Sequence, residues 1–76
     1  MSNVILPELG DGIVKATVAF WHCKVGDRVQ EGDDVVELAT DKATFNVFAS
    51  SSGIMKKIFF IEGQDVPIGE TLAIIE

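Results

Sequence analysis

The sequence predicts an all-β domain in which two four-stranded antiparallel sheets form a flattened β-barrel or sandwich with pseudo-twofold symmetry. Three observations carry this prediction. The apolar segments are short, rich in Val, Ile, Phe and Thr, and bounded by Gly, Pro, Asp or Ser. Two corners of the chain share one spacing of glycine and valine. Finally, 76 residues suffice for only one small core, so a single domain is predicted over 1–76.

Six apolar segments are predicted as the principal strands. Turn-forming residues separate these segments, and none of the segments is long enough to require a helix. In chain order they are NVIL (3–6), GIVKATVAF (12–20), DDVVELAT (33–40), ATFNVFA (43–49), GIMKKIFFI (53–61) and ETLAIIE (70–76).

An internal repeat explains the pseudo-twofold symmetry. The corners VGDRVQEGD (25–33) and EGQDVPIGE (62–70) each place two glycines six residues apart with a valine midway. Five residue pairs share one offset of 37, which is the signature of a duplicated unit. They are Gly26 with Gly63, Val29 with Val66, Gly32 with Gly69, Val35 with Leu72, and Leu38 with Ile75.

A second match lies upstream of the corners. GIVK (12–15) falls on GIMK (53–56) at an offset of 41, which predicts four extra residues within 16–25 of the first half. The half-repeats are then approximately 2–40 and 43–76, packed as two facing sheets. The same offset of 41 pairs Val4 with Phe45 and Leu6 with Val47.

The turn between the third and fourth predicted strands contains Asp41 and Lys42. This turn joins the end of the first half-repeat to the start of the second, and the corresponding place on the other side of the symmetry axis is taken by the chain ends. We therefore expect the lysine and the termini at opposite poles. Two-residue hairpins favour Asn-Gly or Asp-Gly because those residues reach positive φ, whereas Asp-Lys fits a type I turn. Departures from the easiest turn chemistry often fall at functional sites, although a solvated charge is the simpler interpretation.

Composition excludes several classes of function. Twelve acidic residues against six basic ones give a net charge of −6, which disfavours nucleic acid and anionic membranes as partners. The longest apolar runs, such as IFFI (58–61), are far shorter than the ~20 residues of a membrane helix. Cys23 has no partner for a disulfide and no leader precedes Val4, so a cytoplasmic location is expected, or the mitochondrial matrix in a eukaryote.

No catalytic or metal-binding residues are predicted. His22 and Cys23 are adjacent, but the chain has no further His or Cys to complete a zinc site. The serines at 50–52 lie far along the chain from the one histidine, which argues against a nucleophile and base pair. Trp21 is predicted to pack in or beside the core.

The motifs in their order carry a family resemblance. They are VILPELGDGIVKA (4–16), FWHCKVGDRVQEGDDVVEL (20–38), TDKA (40–43) and GIMKKIFFIEGQDVPIGETLAIIE (53–76). Over nearly its whole length the chain resembles the lipoyl domain of dihydrolipoyl acyltransferases in 2-oxo acid dehydrogenase complexes, within the biotinyl/lipoyl carrier family. The specific part is TDKA placed between the two Gly-x-x-Val-x-x-Gly corners.

The resemblance implies that Lys42 carries lipoic acid in amide linkage, as N6-lipoyl-lysine, with Asp41 and Ala43 flanking it in the turn. The domain is then a carrier and not itself an enzyme. Its arm would move acyl groups and reducing equivalents between a thiamine-diphosphate-dependent 2-oxo acid decarboxylase, an acyltransferase core and a flavin-dependent dihydrolipoyl dehydrogenase. A lipoate ligase or lipoyl transferase would attach the group, and the isolated domain would be monomeric.

The resemblance also implies a recognition surface around the lysine turn. Many family members have a glutamate three positions before the lysine, where this chain has an alanine, so partner choice is the property most affected by this departure. The residues assigned to partner recognition are Gly10, Asp11, Gly12, Ala39 and Thr40.

Two further expectations can be tested. Phe48 stands where many relatives have prolines and is predicted to fill a gap at one end of the sandwich, with exposure for docking as the alternative.

A biotin carrier of the same fold would place methionines on both sides of the lysine, and here the neighbours are Asp41 and Ala43. An interaction module with an unmodified Lys42 is the remaining alternative.

Overall fold

The computed structural model describes residues 2–10 and 12–76, which form eight β-strands. The described residues contain no helix, and therefore none that is long and apolar enough to cross a membrane. The strands are β1 (Ser2–Ile5), β2 (Lys15–Trp21), β3 (Arg28–Val29), β4 (Asp34–Ala39), β5 (Thr44–Phe48), β6 (Gly53–Ile58), β7 (Asp65–Pro67) and β8 (Thr71–Ile75).

The strands form two four-stranded sheets with orders β1-β8-β6-β3 and β5-β4-β2-β7, and every neighbouring pair is antiparallel. Exchanging β1–β4 with β5–β8 converts one order into the other, so the sheets are related by pseudo-twofold symmetry. The predicted fold class is confirmed. The two corners, predicted only as turns, contain the short strands β3 and β7.

The core consists of apolar side chains that the strands direct between the sheets. No polar or charged side chain is buried among the described residues, so the sheets are held together by apolar burial. The indole of Trp21 is half-buried against this core and donates a hydrogen bond from Nε1 to the carbonyl of Phe60 at 2.8 Å. The buried residues are Val4, Leu6, Ala16, Val18, Cys23, Val29, Val35, Val36, Leu38, Val47, Ala49, Met55, Val66, Leu72, Ala73 and Ile75.

The pairing register corrects the predicted alignment of the two halves. Val18 pairs with Leu38, and Met55 pairs with Ile75, so Val18 and Met55 occupy equivalent places. The offset of 37 therefore continues upstream from the corners through β2 and β6. The predicted offset of 41 for GIVK and GIMK is wrong.

The first strands of the two halves follow a larger offset of 43. Val4 lies opposite Ala73, and Val47 lies opposite Val36. Val36 and Ala73 are 37 residues apart and therefore equivalent. Val4 is thus equivalent to Val47, and Leu6 to Ala49. The predicted pairs, Val4 with Phe45 and Leu6 with Val47, are therefore wrong by two residues. Buried positions alternate along a strand, so a shift of two residues keeps the same apolar pattern and the sequence does not reveal it.

The change of offset locates the extra residues of the first half. Leu6 and Ala49 each accept a hydrogen bond from the second glycine of a corner, at 2.8 and 2.9 Å. Nine residues then separate Leu6 from Ala16 (7–15), whereas three separate Ala49 from Gly53 (50–52). The first half therefore has six extra residues in the loop between β1 and β2, and the prediction of four extra residues within 16–25 is wrong.

Gly12 and Gly53, which the predicted offset of 41 pairs, have different structural roles. Gly12 has a φ of +79°, in the left-handed region that favours glycine, and an added Cβ there would meet open space. At Gly53 an added Cβ would lie 2.9 Å from the carbonyl oxygen of Glu76 and 2.9 Å from Cγ2 of Ile75. Gly53 is thus required by close packing of the C-terminal strand, and not by turn geometry.

We expect Gly53→Ala to lower the free energy of unfolding by about 1–3 kcal/mol, the usual cost of overpacking. In a domain of this size each kcal/mol corresponds to a fall in Tm of roughly 4–8 °C. Ser50→Ala is the matched control, because Ser50 is exposed and makes no side-chain hydrogen bond within the described residues. Equal melting temperatures for the two variants would contradict the packing of the C-terminal strand against Gly53.

Candidate functional site

The connection between β4 and β5 is a tight turn whose tip is exposed. The side chains of Asp41, Lys42 and Ala43 are all exposed, and Thr40 is half-buried. The backbone N–H of Thr40 donates to the carbonyl of Ala43 at 2.8 Å, which joins the two sides of the turn. No non-glycine residue in the described part of the chain has positive φ, so Lys42 takes an ordinary backbone conformation, in agreement with the expectation from Asp-Lys.

The hydroxyl of Thr40 holds the tip of this turn. Its Oγ1 accepts hydrogen bonds from the backbone N–H groups of Lys42 and Ala43, both at 3.2 Å, and donates to the carbonyl of Ala43 at 3.1 Å. The sequence predicts Thr40 as a residue of partner recognition and does not predict this role in the turn. The available signal was the tendency of Ser and Thr hydroxyls to bond the backbone two or three residues onward in turns.

The turn and the start of the chain lie at opposite ends of the domain. β5 leads away from the turn for five residues, a distance of about 17 Å at ~3.3 Å per residue. Just beyond β5, the hydroxyl of Ser51 donates a hydrogen bond to Oγ of Ser2 at 2.7 Å. Lys42 is therefore presented at the pole away from Ser2, where β1 begins.

A groove of about 390 Å³ runs beside the lysine, between the β1–β2 loop and the turn. The β1–β2 loop, with its six extra residues, forms one wall, so the second half has no equivalent of this wall. The lining residues are Gly12, Ile13, Val14, Lys15, Ala16, Thr17, Ala39, Thr40, Asp41 and Lys42.

The groove brings together most residues predicted for recognition. Gly12, Ala39 and Thr40 line it with Lys42. Gly10 is not among the lining residues, but its carbonyl accepts a hydrogen bond from the N–H of Ile13 at 3.3 Å and so helps to close the loop. Asp11, also predicted for recognition, lies outside the described residues.

The two lysines of the groove differ in their contacts. Nζ of Lys15 lies 3.2 Å from a carboxylate oxygen of Asp65, and the hydroxyl of Thr17 donates to the other oxygen at 2.7 Å. The Thr17 hydrogen bond, followed by the contact with Lys15, holds the pKa of Asp65 below its ordinary value. Lys42 makes no ion pair or side-chain hydrogen bond within residues 2–10 and 12–76, so its amine is accessible for reaction.

The remaining predictions concern residues away from the groove. Phe48 is 54% exposed, so the prediction that it fills a gap is wrong; Val47 takes the inward position and the next residue therefore points outward. His22 is exposed and packs edge to face with Phe20, at 5.0 Å between ring centroids. Cys23 is buried, and burial, followed by the charges of nearby aspartates, raises the pKa of its thiol.

Comparison with known proteins gives concordant matches. The profile of the family described as "Biotin-requiring enzyme" matches residues 2–75. The chain is 36% identical over 99% of its length to the dihydrolipoyllysine-residue succinyltransferase component of the 2-oxoglutarate dehydrogenase complex of Staphylococcus saprophyticus. It is 43% identical over 97% of its length to the dihydrolipoyllysine-residue acetyltransferase component of the mitochondrial pyruvate dehydrogenase complex of Caenorhabditis elegans. The chain spans only 18% and 15% of those two proteins.

Two solved structures have the same fold. The lipoyl domain of the 2-oxoglutarate dehydrogenase complex from Azotobacter vinelandii superposes with a TM-score of 0.81 at 32% identity, covering 100% of this chain and 96% of that one. Kluyveromyces lactis urea carboxylase superposes with a TM-score of 0.67 at 24% identity, covering 99% of this chain and 7% of that one. The second match shows the fold alone.

The fold, together with the matches to acyltransferase relatives and to a lipoyl domain, defines a carrier domain. The chain belongs to the biotin/lipoyl attachment family and, within it, to the lipoyl domains. Lipoyl domains carry lipoate covalently on a lysine, and the exposed amine of Lys42 with the small Ala43 beside it fits that attachment. The resemblance identified from the sequence is confirmed.

Proposed function

We propose that Lys42 is the attachment residue and that the domain carries acyl groups and reducing equivalents within a 2-oxo acid dehydrogenase complex. One observation carries the proposal: Lys42 is exposed on a hydrogen-bonded turn at the pole opposite the start of the chain. A domain tethered at one pole can then present the group at the other. The names of the acyltransferase relatives support assembly into such a complex.

The residues of the site would supply attachment and presentation. Lys42 would hold lipoic acid through an amide, which removes the positive charge of the amine. When bound, this group supplies a reducible disulfide that takes up acyl groups and electrons at the end of a flexible arm. Asp41 and Ala43 flank the attachment point, and the sheets provide a rigid base from which the arm extends.

The proposed partners are those that the resemblance implies. They are a thiamine-diphosphate-dependent 2-oxo acid decarboxylase, an acyltransferase catalytic core, a flavin-dependent dihydrolipoyl dehydrogenase, and the lipoate ligase or lipoyl transferase. We propose that the loop containing Gly10 and Gly12, together with Ala39 across the groove, contributes to their recognition. The net charge of −6 favours partners whose docking faces are positive. The cytoplasmic location stays a prediction.

Intact mass spectrometry tests this function. The purified chain is incubated with ATP and either lipoate and a lipoate ligase, or biotin and a biotin ligase. We expect the mass of one lipoyl group to be added in the first reaction and no change in the second. On a native gel the product should migrate faster toward the anode, because one positive charge is lost from a chain of net charge −6. Biotin addition alone would indicate a biotin carrier, and no addition in either reaction would indicate an unmodified interaction module.

A further inference from the structure

We infer that the hydroxyl of Thr40 is a positioning group for the acylation of Lys42, because it holds the turn in the shape that directs the amine toward the modifying enzyme. The inference rests on the proposed attachment at Lys42 and adds a residue that acts through the shape of the turn. Its basis is the set of hydrogen bonds that Thr40 makes across the turn.

Thr40 ties the two sides of the turn together through both its side chain and its backbone. The Thr40 hydroxyl accepts from two successive N–H groups, those of Lys42 and Ala43, and donates to the carbonyl of Ala43. The backbone N–H of Thr40 donates to the same carbonyl at 2.8 Å. The backbone atoms on both sides of the Lys42 side chain are therefore tied to one residue that is itself half-buried next to the end of β4.

The flanking residues do not provide this constraint. The carboxylate of Asp41 makes no hydrogen bond within residues 2–10 and 12–76. Ala43 has no polar side-chain atom. Without the Thr40 hydroxyl, the exposed N–H groups of Lys42 and Ala43 would bond water instead, and the tip could adopt several conformations at little cost.

The orientation of the amine matters for the reaction that it undergoes. The ammonium first loses a proton, and the neutral Nζ attacks the carbonyl carbon of an acyl adenylate that the ligase makes from lipoate and ATP. A C–N bond forms, the C–O bond to AMP breaks, AMP leaves, and the nitrogen loses a second proton. A displacement of about 1 Å between reacting atoms can reduce such a rate by ~100-fold.

Three variants separate the hydroxyl from its surroundings. Thr40→Val keeps the shape and removes the hydroxyl, whereas Thr40→Ser keeps the hydroxyl. Thr44→Val is the matched control, since Thr44 is exposed, lies equally close to Lys42 along the chain, and makes no side-chain hydrogen bond in the described structure. Lipoylation by a lipoate ligase is followed by intact mass, and amide hydrogen exchange is followed by NMR.

We expect kcat/KM for lipoylation of Thr40→Val to fall by about 10- to 100-fold, mainly through kcat, because docking of the folded domain is retained while the amine is misdirected. Thr40→Ser should stay within about threefold of the parent and Thr44→Val within about twofold. In Thr40→Val the amides of Lys42 and Ala43 should exchange faster while core amides are unchanged. Acylation of Lys42 by a small activated ester should proceed at the parental rate, because that reagent needs no particular direction of approach.

The outcomes distinguish this inference from the proposed function. If the parent is not lipoylated at Lys42, the proposed function fails. If the parent is lipoylated and Thr40→Val matches it, the positioning role alone fails. Equal losses in Thr40→Val and Thr40→Ser, or in Thr40→Val and Thr44→Val, would also overturn the positioning role. Faster exchange throughout the core of Thr40→Val would show a general loss of stability instead of a local effect.

Discussion

Lys42→Arg is expected to abolish the attachment of lipoate while the domain stays folded. Lys42 is exposed and forms no ion pair within the described residues, so the substitution should change the free energy of unfolding by no more than about 0.5 kcal/mol. Arginine keeps the positive charge, but its guanidinium does not lose a proton in proteins and cannot act as the attacking amine. After incubation with lipoate ligase, lipoate and ATP, the intact mass and the native-gel mobility should be those of the untreated variant.

The matched control is Lys56→Arg, on an exposed lysine of β6 that makes no ion pair in the described structure. This variant should gain one lipoyl group at the parental rate. A mass increase in Lys42→Arg would show that another amine is the acceptor, and loss of modification in Lys56→Arg would show that the ligase depends on charge elsewhere on the domain.

Exchanging the two residues at the tip, Asp41→Lys with Lys42→Asp, is expected to slow lipoylation by about 100-fold without unfolding the domain. Composition and net charge are unchanged, and Thr40 bonds backbone atoms, which the exchange retains. The free energy of unfolding should therefore change by well under ~1 kcal/mol. Successive residues of a hairpin project in different directions, so a shift of one position turns the amine away from the approach that the ligase requires.

Thermal melting and a time course of intact mass measure the two halves of this prediction. Asp41→Ala serves as the control, because it removes the carboxylate and leaves the lysine in place; its lipoylation rate should stay within a few-fold of the parent. Equal rates for the exchanged protein and the parent would show that the ligase accepts any exposed lysine at this pole. A loss in Asp41→Ala as large as in the exchange would assign the effect to the carboxylate and not to position.

The β1–β2 loop makes the two poles of this repeated fold different. The two halves have equivalent strands and corners, yet only the first half has the six extra residues that form a wall of the groove beside Lys42. At the other pole the equivalent connection, 50–52, is short and contacts Ser2 through Ser51. The asymmetry of the domain therefore lies mainly in this loop and in the turn that faces it.

Much of this protein is determined by local patterns in the sequence. Alternation of apolar and polar residues specifies the strands, because a strand in a two-layer sandwich directs successive side chains to opposite faces. The repeated glycines of the corners, at Gly26 and Gly63, have φ of +98° and +93°, which other residues rarely adopt. The Asp-Lys turn was predictable in place and in its ordinary backbone conformation, and TDKA in its setting indicates Lys42 as the proposed attachment residue.

Other features were decided only by tertiary structure, because they depend on contacts between segments distant in the chain. The pattern Gly-Ile-x-Lys occurs twice, yet Gly12 is needed for its φ and Gly53 for its contact with the last residue, a difference that no local pattern contains. The register of β1 and β5 follows from hydrogen bonds to the corners, and it alone shows where the extra residues lie. The role of Thr40 likewise exists only once the turn brings its hydroxyl to the backbone of Lys42, since the same residue type in an open loop would bond only water.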